Sequence, residues 1–223
     1  MSYFTEQYLK FFRALTKHNQ KSWFEANRDW FETEVKQPFT AFVEEMIARI
    51  HADDPEVRIS SKEAIFRIYR DIRFAKDKTP YKLHMSALIS PAGRGNLEYP
   101  GFYLELGSAM VMLGGGAYSV AGENVPRLRR ALLQRPQEFA ALLRDRKFRA
   151  KYGTLQGEQN KILPAEFKAA AQQQPLIANK QFYYLAELPP DTILKRKLPE
   201  FIMTYYHAGK PMNRFLREAL GYR

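Results

Sequence analysis

The spacing of the apolar residues changes twice along this 223-residue chain, and that change constrains the fold more than any other feature of the sequence. Near the start, apolar side chains recur at helical intervals, as at Tyr8, Phe12 and Leu15. The middle of the chain is rich in the β-branched and aromatic residues typical of strands, and helical spacing returns after residue 124. Strands gathered between two sets of helices, without alternating strand–helix units, predict a single α+β domain with a central antiparallel sheet flanked by N-terminal and C-terminal helices.

Apolar spacing, caps and turn residues place the individual elements. Strands of an antiparallel meander are predicted over residues 82–90, 101–106 and 109–113, with one more over 182–185. Helices are predicted over residues 5–17, 22–50, 125–133, 137–145, 165–173, 198–207 and 212–220. Pro38 is expected to kink or divide the second of these helical stretches.

Residues 65–74 fit two structures. Alternate residues such as Phe66 and Ile68 would share one face of a strand. However, Ser60 and Glu63 match a helical capping box, and the isoleucines of the segment also fit helical spacing. The density of β-branched and aromatic residues favours the strand.

Composition excludes several classes of protein and site. The chain has no cysteine, and its four histidines are scattered. No disulfide or thiolate metal site can therefore form, and no zinc, haem or iron–sulfur cluster is expected. No apolar run approaches the roughly 18 residues of a membrane-spanning helix, and the first residues lack the pattern of a secretory signal. These features predict a cytoplasmic protein without membrane contact.

The positive charge is unevenly distributed. The chain has a formal net charge of +11, yet residues 1–60 carry more acidic than basic side chains. The excess lies in residues 61–223 and includes a basic run over residues 127–151. Such a surplus favours anionic partners: a phosphorylated small molecule, a nucleic acid or an acidic protein. The alternative is a solvated surface that serves only solubility.

A dense group of cations follows residue 66. The group consists of Arg67, Arg70, Arg73, Lys76, Lys78 and Lys82. If these side chains converge, they form a cradle for phosphate or carboxylate, in which arginine offers planar two-point hydrogen bonding. Asp71 would then orient the arginines or act as a catalytic base. The alternative is a structural ion-pair network in which Arg70 pairs with Asp71.

Three consecutive glycines at positions 114–116 form a second candidate feature. A phosphate could lie against the backbone N–H groups of Gly115 and Gly116. The spacing matches neither common nucleotide-binding pattern, and a turn that needs positive φ is the alternative role. The aromatic lining of the site would come from Tyr69, Tyr103 and Tyr118. Packing within the sheet is the alternative role for these rings.

Residues 66–82, with the sequence FRIYRDIRFAKDKTPYK, resemble the signature of a widespread microbial family catalogued as a domain of unknown function (family 2461). Further matching segments are residues 23–28, 100–104, 114–118 and 211–216. The resemblance implies a one-domain protein and supplies no substrate, cofactor or catalytic residue.

Two functions are consistent with these features. The leading hypothesis is a protein, or an enzyme, that binds a phosphorylated or otherwise anionic small molecule in an Arg/Lys-lined pocket. The alternative is a non-catalytic module that binds nucleic acid or an acidic protein through a basic surface. A pocket requires cations that converge in a concavity, whereas a surface module requires cations that spread outwards.

Overall fold

The computed structural model describes residues 2–222. The helices before the sheet are α1 (Glu6–Lys17), α2 (Lys21–Ala26), α3 (Arg28–Phe31), α4 (Gln37–Asp53) and α5 (Ser61–Ala64). The strands are β1 (His84–Ile89), β2 (Gly101–Gly107), β3 (Val111–Ala117) and β4 (Phe182–Leu188). The helices between β3 and the C-terminus are α6 (Val125–Gln134), α7 (Pro136–Arg144), α8 (Arg146–Tyr152), α9 (Ala165–Gln173) and α10 (Leu198–Leu220). Short 3₁₀ turns lie at Gly93–Gly95, Pro175–Ala178 and Pro190–Leu194.

The four strands form one antiparallel sheet in the order β1-β2-β3-β4. The first three strands are a meander, and β4 adds to its far edge after the helices α6 to α9. The predicted α+β class, with an antiparallel sheet between N-terminal and C-terminal helices, is confirmed.

Helices from both ends of the chain cover one face of this sheet. Helix α10 packs across β2 and β3, where Leu104 and Leu113 are fully buried. The hydroxyl of Tyr8, in α1, donates to the Leu106 carbonyl at 2.9 Å. Because side chains alternate along each strand, residues such as His84, Tyr103 and Glu105 lie on the opposite face.

The prediction of a strand over residues 65–74 is wrong. Ile65 and Tyr69 each make one isolated bridge, the first to β1 and the second to Tyr81. Pro80 lies beside the second bridge and has no N–H, so a regular hydrogen-bond ladder cannot pass through it. The segment is therefore an irregular connection along the β1 edge of the sheet.

The separate helices predicted over residues 198–207 and 212–220 are one helix, α10, with Pro211 in its interior. An internal proline costs about 3 kcal/mol because it removes a hydrogen bond and clashes with the preceding turn. Met212, Phe215 and Leu216 are buried just beyond it. Each such side chain contributes about 1.5–3 kcal/mol on burial, which offsets the cost of the proline.

Pro38 does not divide the helical stretch in which it lies. The backbone stays helical from α3 into α4 through a wider, π-helical stretch at Glu32–Lys36. Pro38 lies directly after this π-helical stretch, at the second residue of α4. No helix within residues 2–222 is both long and apolar enough to span a membrane.

Candidate functional site

Local ion pairs hold much of the cationic segment after residue 66. Arg70 Nη1 lies 2.5 Å from Asp77 Oδ2 and also donates to the Thr79 carbonyl at 3.1 Å. Arg70 therefore pairs with Asp77 and not with Asp71. Asp77 also accepts from the Thr79 N–H, and these contacts lower its pKa to about 2.

Asp71 pairs with Arg73 two residues away. The Arg73 guanidinium donates to both carboxylate oxygens, at 2.7 and 3.0 Å. These bonds and the Arg73 N–H lower the pKa of Asp71 to about 2, so the carboxyl is ionised and engaged at neutral pH. Lys78 donates to the Ile72 carbonyl at 2.9 Å, and Lys76 is exposed. Arg70, Arg73, Lys76 and Lys78 thus line neither of the two cavities described next.

One cavity, of about 450 Å³, lies between the segment 65–69 and the helices α2 to α5. Five cations line it: Arg28, Lys36, Lys62, Arg67 and Arg94. We call it the cationic cleft. Arg67 and Tyr69 are the residues of the predicted anion site that it contains. Its floor is apolar and includes the buried Phe24, Phe31 and Ile68.

The charges of the cationic cleft are only partly balanced. Lys36 pairs with Glu32 at 2.8 Å, and Arg28 pairs with Glu25 at 2.7 Å. By contrast, three cations make no hydrogen bond or salt bridge with any residue of the described range 2–222. These are Lys62, Arg67 and Arg94. Like charges without partners around a concavity create a positive potential there.

A second cavity, of about 390 Å³, lies on the sheet face opposite α10. We call it the sheet-face pocket. From the predicted site it contains Lys82, Tyr103, Tyr118, Gly115 and Gly116. Phe66 lines both cavities, so its ring lies between them. The predicted site residues are thus dispersed: some line one or the other of two neighbouring cavities, and the rest, Asp71 among them, line neither.

A buried carboxylate forms the centre of the sheet-face pocket. Glu105 is 8% exposed. Its Oε2 accepts from the Tyr103 hydroxyl at 2.7 Å, and its Oε1 lies 3.1 Å from Nδ1 of His84. Burial raises the pKa of Glu105 and of the Tyr103 hydroxyl. Burial and the charge of Lys82 lower the pKa of His84 to about 4, so its imidazole is neutral at pH 7.

Sequence reasoning missed His84 and Glu105. The available signal was their position, since each is a titratable residue that alternates with apolar residues in a predicted strand. Their separation of 21 residues concealed the contact, which depends on the register that places Glu105 opposite Ser86.

The glycines have a structural role in β3. The strand was predicted to end at residue 113 but continues to Ala117. A Cβ at Gly115 would lie 2.5 Å from the Tyr184 hydroxyl. Gly116 has φ of +97°, and its N–H donates to Asn213 Oδ1 at 2.8 Å. The Gly116 N–H therefore already has a partner within the protein.

The basic run 127–151 spans α6 to α8. Arg129 is 2% exposed and donates to the carbonyls of Ala178 and Asn179, so it is not part of a basic surface. Exposed cations without a salt bridge in the described part of the chain remain on these helices. They are Arg127, Arg144, Arg146, Lys147 and Arg149.

Among residues 2–222, no group of three or more acidic or histidine side chains is arranged to hold a metal ion. No curated protein matches the sequence. A family model described as "Conserved hypothetical protein (DUF2461)" matches residues 7–215. Because this match covers nearly the whole chain, the protein belongs to the DUF2461 family of conserved hypothetical proteins.

Proposed function

We propose that this protein binds a small anionic molecule, phosphorylated or carboxylated, in the cationic cleft. The observation that carries the proposal is the group of three unpaired cations, Lys62, Arg67 and Arg94, around one concavity. The apolar floor below them indicates that the ligand also has a flat or apolar body. Cavities of this size, with an apolar lining and few convergent polar groups, are typical of small-molecule sites.

Electrostatics explains why an anion is favoured there. In the empty cleft the unpaired cations repel one another, and a bound phosphate relieves this repulsion. Arg67 and Arg94 can each offer two parallel N–H donors to a phosphate or carboxylate, whereas Lys62 acts as a point charge.

Thermal unfolding in the presence of defined anions tests the proposal. The panel is inorganic phosphate, nucleoside mono- and diphosphates, sugar phosphates and aryl phosphates. A ligand at a hundredfold excess over its Kd stabilises the folded state by about 2.7 kcal/mol. For a chain of this length that corresponds to a rise in Tm of about 5–10 °C.

A matched pair of variants separates the cleft from general charge. Arg67→Ala should abolish the ligand-induced rise in Tm and leave the Tm of the free protein nearly unchanged, because Arg67 has no partner to lose. Arg73→Ala is the control, since Arg73 belongs to the same segment but pairs with Asp71 outside the cleft. Absence of any shift with the whole panel contradicts the proposal. Equal loss of the shift in both variants contradicts it as well.

A second candidate function rests on the exposed cations of α6 to α8. We propose binding of nucleic acid to this surface as the alternative. Four or five phosphate contacts give a slope of roughly −3 to −5 when log affinity is plotted against log salt concentration. The double variant Arg146→Glu, Arg149→Glu should then weaken binding to all sequences equally. An affinity for nucleic acid that is unchanged in the double variant excludes these helices as the interface.

A further inference from the structure

The polar side chains of the sheet-face pocket are organised around Glu105. Both carboxylate oxygens have a partner, the Tyr103 hydroxyl for Oε2 and the His84 ring for Oε1. A neutral imidazole whose Nδ1–H donates to a carboxylate has a free lone pair on Nε2. His84 lines the pocket with a side chain that is 27% exposed, so Nε2 is the ring atom left to accept a proton from a ligand.

Lys82 places a positive charge in the same pocket. Its side chain lines the same pocket, with Nζ 5.2 Å from the centre of the Phe66 ring. Within the described residues 2–222 its ammonium makes no hydrogen bond or salt bridge. Its charge acts on both His84 and Glu105. The pocket thus places a proton acceptor and an unpaired cation near each other.

Apart from the buried Ser86, the remaining walls are apolar or aromatic. Tyr118 is 56% exposed and packs against Tyr183 at 5.2 Å between ring centres. Leu185 and Met112 extend this surface across β3 and β4. The lining therefore suits an aromatic or conjugated body with a single polar group.

We propose that the sheet-face pocket binds a flat, largely apolar molecule that carries one acidic hydroxyl, a phenol or an enol, and that His84 removes its proton. The O–H bond of the ligand breaks and its electron pair stays on oxygen. The proton forms a new N–H bond at Nε2 of His84. The resulting imidazolium faces the Glu105 carboxylate, and the resulting oxyanion faces the Lys82 ammonium, so each new charge has a counter-charge.

The titratable groups that face this step come from several elements. They are Lys82, His84, Tyr103, Glu105, Tyr118 and Tyr183, and the charge of Arg67 acts on Lys82 from outside the pocket. In the empty pocket, burial and Lys82 hold the His84 ring unprotonated. The oxyanion offsets the charge of Lys82, which removes the smaller of these two causes, and the Glu105 carboxylate 3.1 Å from Nδ1 stabilises the imidazolium against the burial that remains.

A chromogenic phenol tests the proposal directly, because the neutral and ionised forms of para-nitrophenol absorb at different wavelengths. We expect the parent protein to bind para-nitrophenol as the phenolate at a pH one unit below the pKa of the free phenol. His84→Gln should return the bound phenol to its neutral form, and Lys82→Met should lower the phenolate fraction severalfold. His207→Gln, on the exposed side of α10, is the control and should leave the spectrum unchanged.

Several results overturn the proposal. These are failure of the parent to bind the phenol, binding only in the neutral form, and unchanged ionisation in a folded His84→Gln variant. If His84→Gln does not fold, Lys82→Met decides alone, because the half-buried Lys82 side chain makes no hydrogen bond or salt bridge within residues 2–222 and methionine keeps its apolar contact with Phe66. Arg94→Ala removes a cation of the cationic cleft that does not line the sheet-face pocket and should leave the phenol spectrum intact, so failure of the cationic cleft and failure of this pocket are distinguishable.

Discussion

Replacement of Asn213 by leucine should lower the free energy of unfolding by several kcal/mol, because the Asn213 side chain makes three buried hydrogen bonds. Asn213 lies on α10, is 4% exposed and connects the helix to two strands. Its Oδ1 accepts from the Gly116 N–H at 2.8 Å, and its Nδ2 donates to the Gly101 carbonyl at 2.9 Å. The Tyr184 hydroxyl also donates to Oδ1, at 2.8 Å.

The size of the effect follows from the groups left behind. Leucine has a similar volume but no polar atom, so Asn213→Leu leaves the Gly116 N–H and the Gly101 carbonyl buried without this partner. An unsatisfied buried group costs about 1–3 kcal/mol. The Tyr184 hydroxyl keeps an alternative acceptor, the Gly209 carbonyl at 3.0 Å. The expected loss is therefore about 4 kcal/mol, or a fall in Tm of about 8–16 °C.

Urea unfolding followed by circular dichroism measures this loss. Arg214→Leu is the matched control, because it introduces the same residue at the next position, where the side chain is 80% exposed and pairs with Glu218 on the surface. We expect that variant to stay within about 1 kcal/mol of the parent. Tyr184→Phe should cost about 1 kcal/mol, since it removes only the hydroxyl. An Asn213→Leu variant within 1 kcal/mol of the parent would refute the reasoning.

Three further predictions follow from single residues. Gly116→Ala should lower the free energy of unfolding in urea by more than about 2 kcal/mol, because φ is +97° and a Cβ would lie 2.2 Å from the Phe182 carbonyl oxygen. Gly122→Ala is the control and should be nearly neutral, since a Cβ there would lie in open space. The pKa of His84 is lowered from 6.5 to about 4 in the folded protein. As the pH drops from about 6.5 to about 4, the His84 imidazole is therefore protonated in the unfolded state before it is protonated in the folded state, and the free energy of unfolding should fall. His84→Gln should flatten this part of the stability–pH curve, and an unchanged curve would contradict the assignment. Arg129→Met removes a buried guanidinium that has no carboxylate partner among residues 2–222, but it also leaves the Asn179 carbonyl without its Arg129 donor. These two effects oppose each other, so urea unfolding should show a change in stability of about 1 kcal/mol or less.

Features governed by neighbouring residues were predictable from the sequence. The Ser60–Glu63 capping box is present at the start of α5, and the Thr5 side chain caps α1 by accepting from the Gln7 N–H. The α+β class and the meander of β1 to β3 also follow from local spacing and propensity. These features depend on interactions over a few positions, which a linear reading of side-chain types captures.

The pairing of charges was not predictable in the same way. Arg70 was weighed as a partner of its neighbour Asp71, yet it contacts Asp77 because the loop between them folds back. Arg129 belongs to a basic run but is buried against residues 178–179, which lie about fifty positions further along the chain. Charge counts along a sequence carry no information on which side of a helix meets the core.

The sequence by itself determined the kinds of element and the surplus of cations after residue 66. Only the tertiary structure decided that Arg67 faces one cavity and Lys82 another, and that His84 meets Glu105 across β1 and β2. The physical reason is that secondary structure is set by local backbone and side-chain preferences, whereas a site is set by strand register and by packing between distant segments. A shift of one residue in that register would turn Glu105 into the core and abolish the sheet-face pocket.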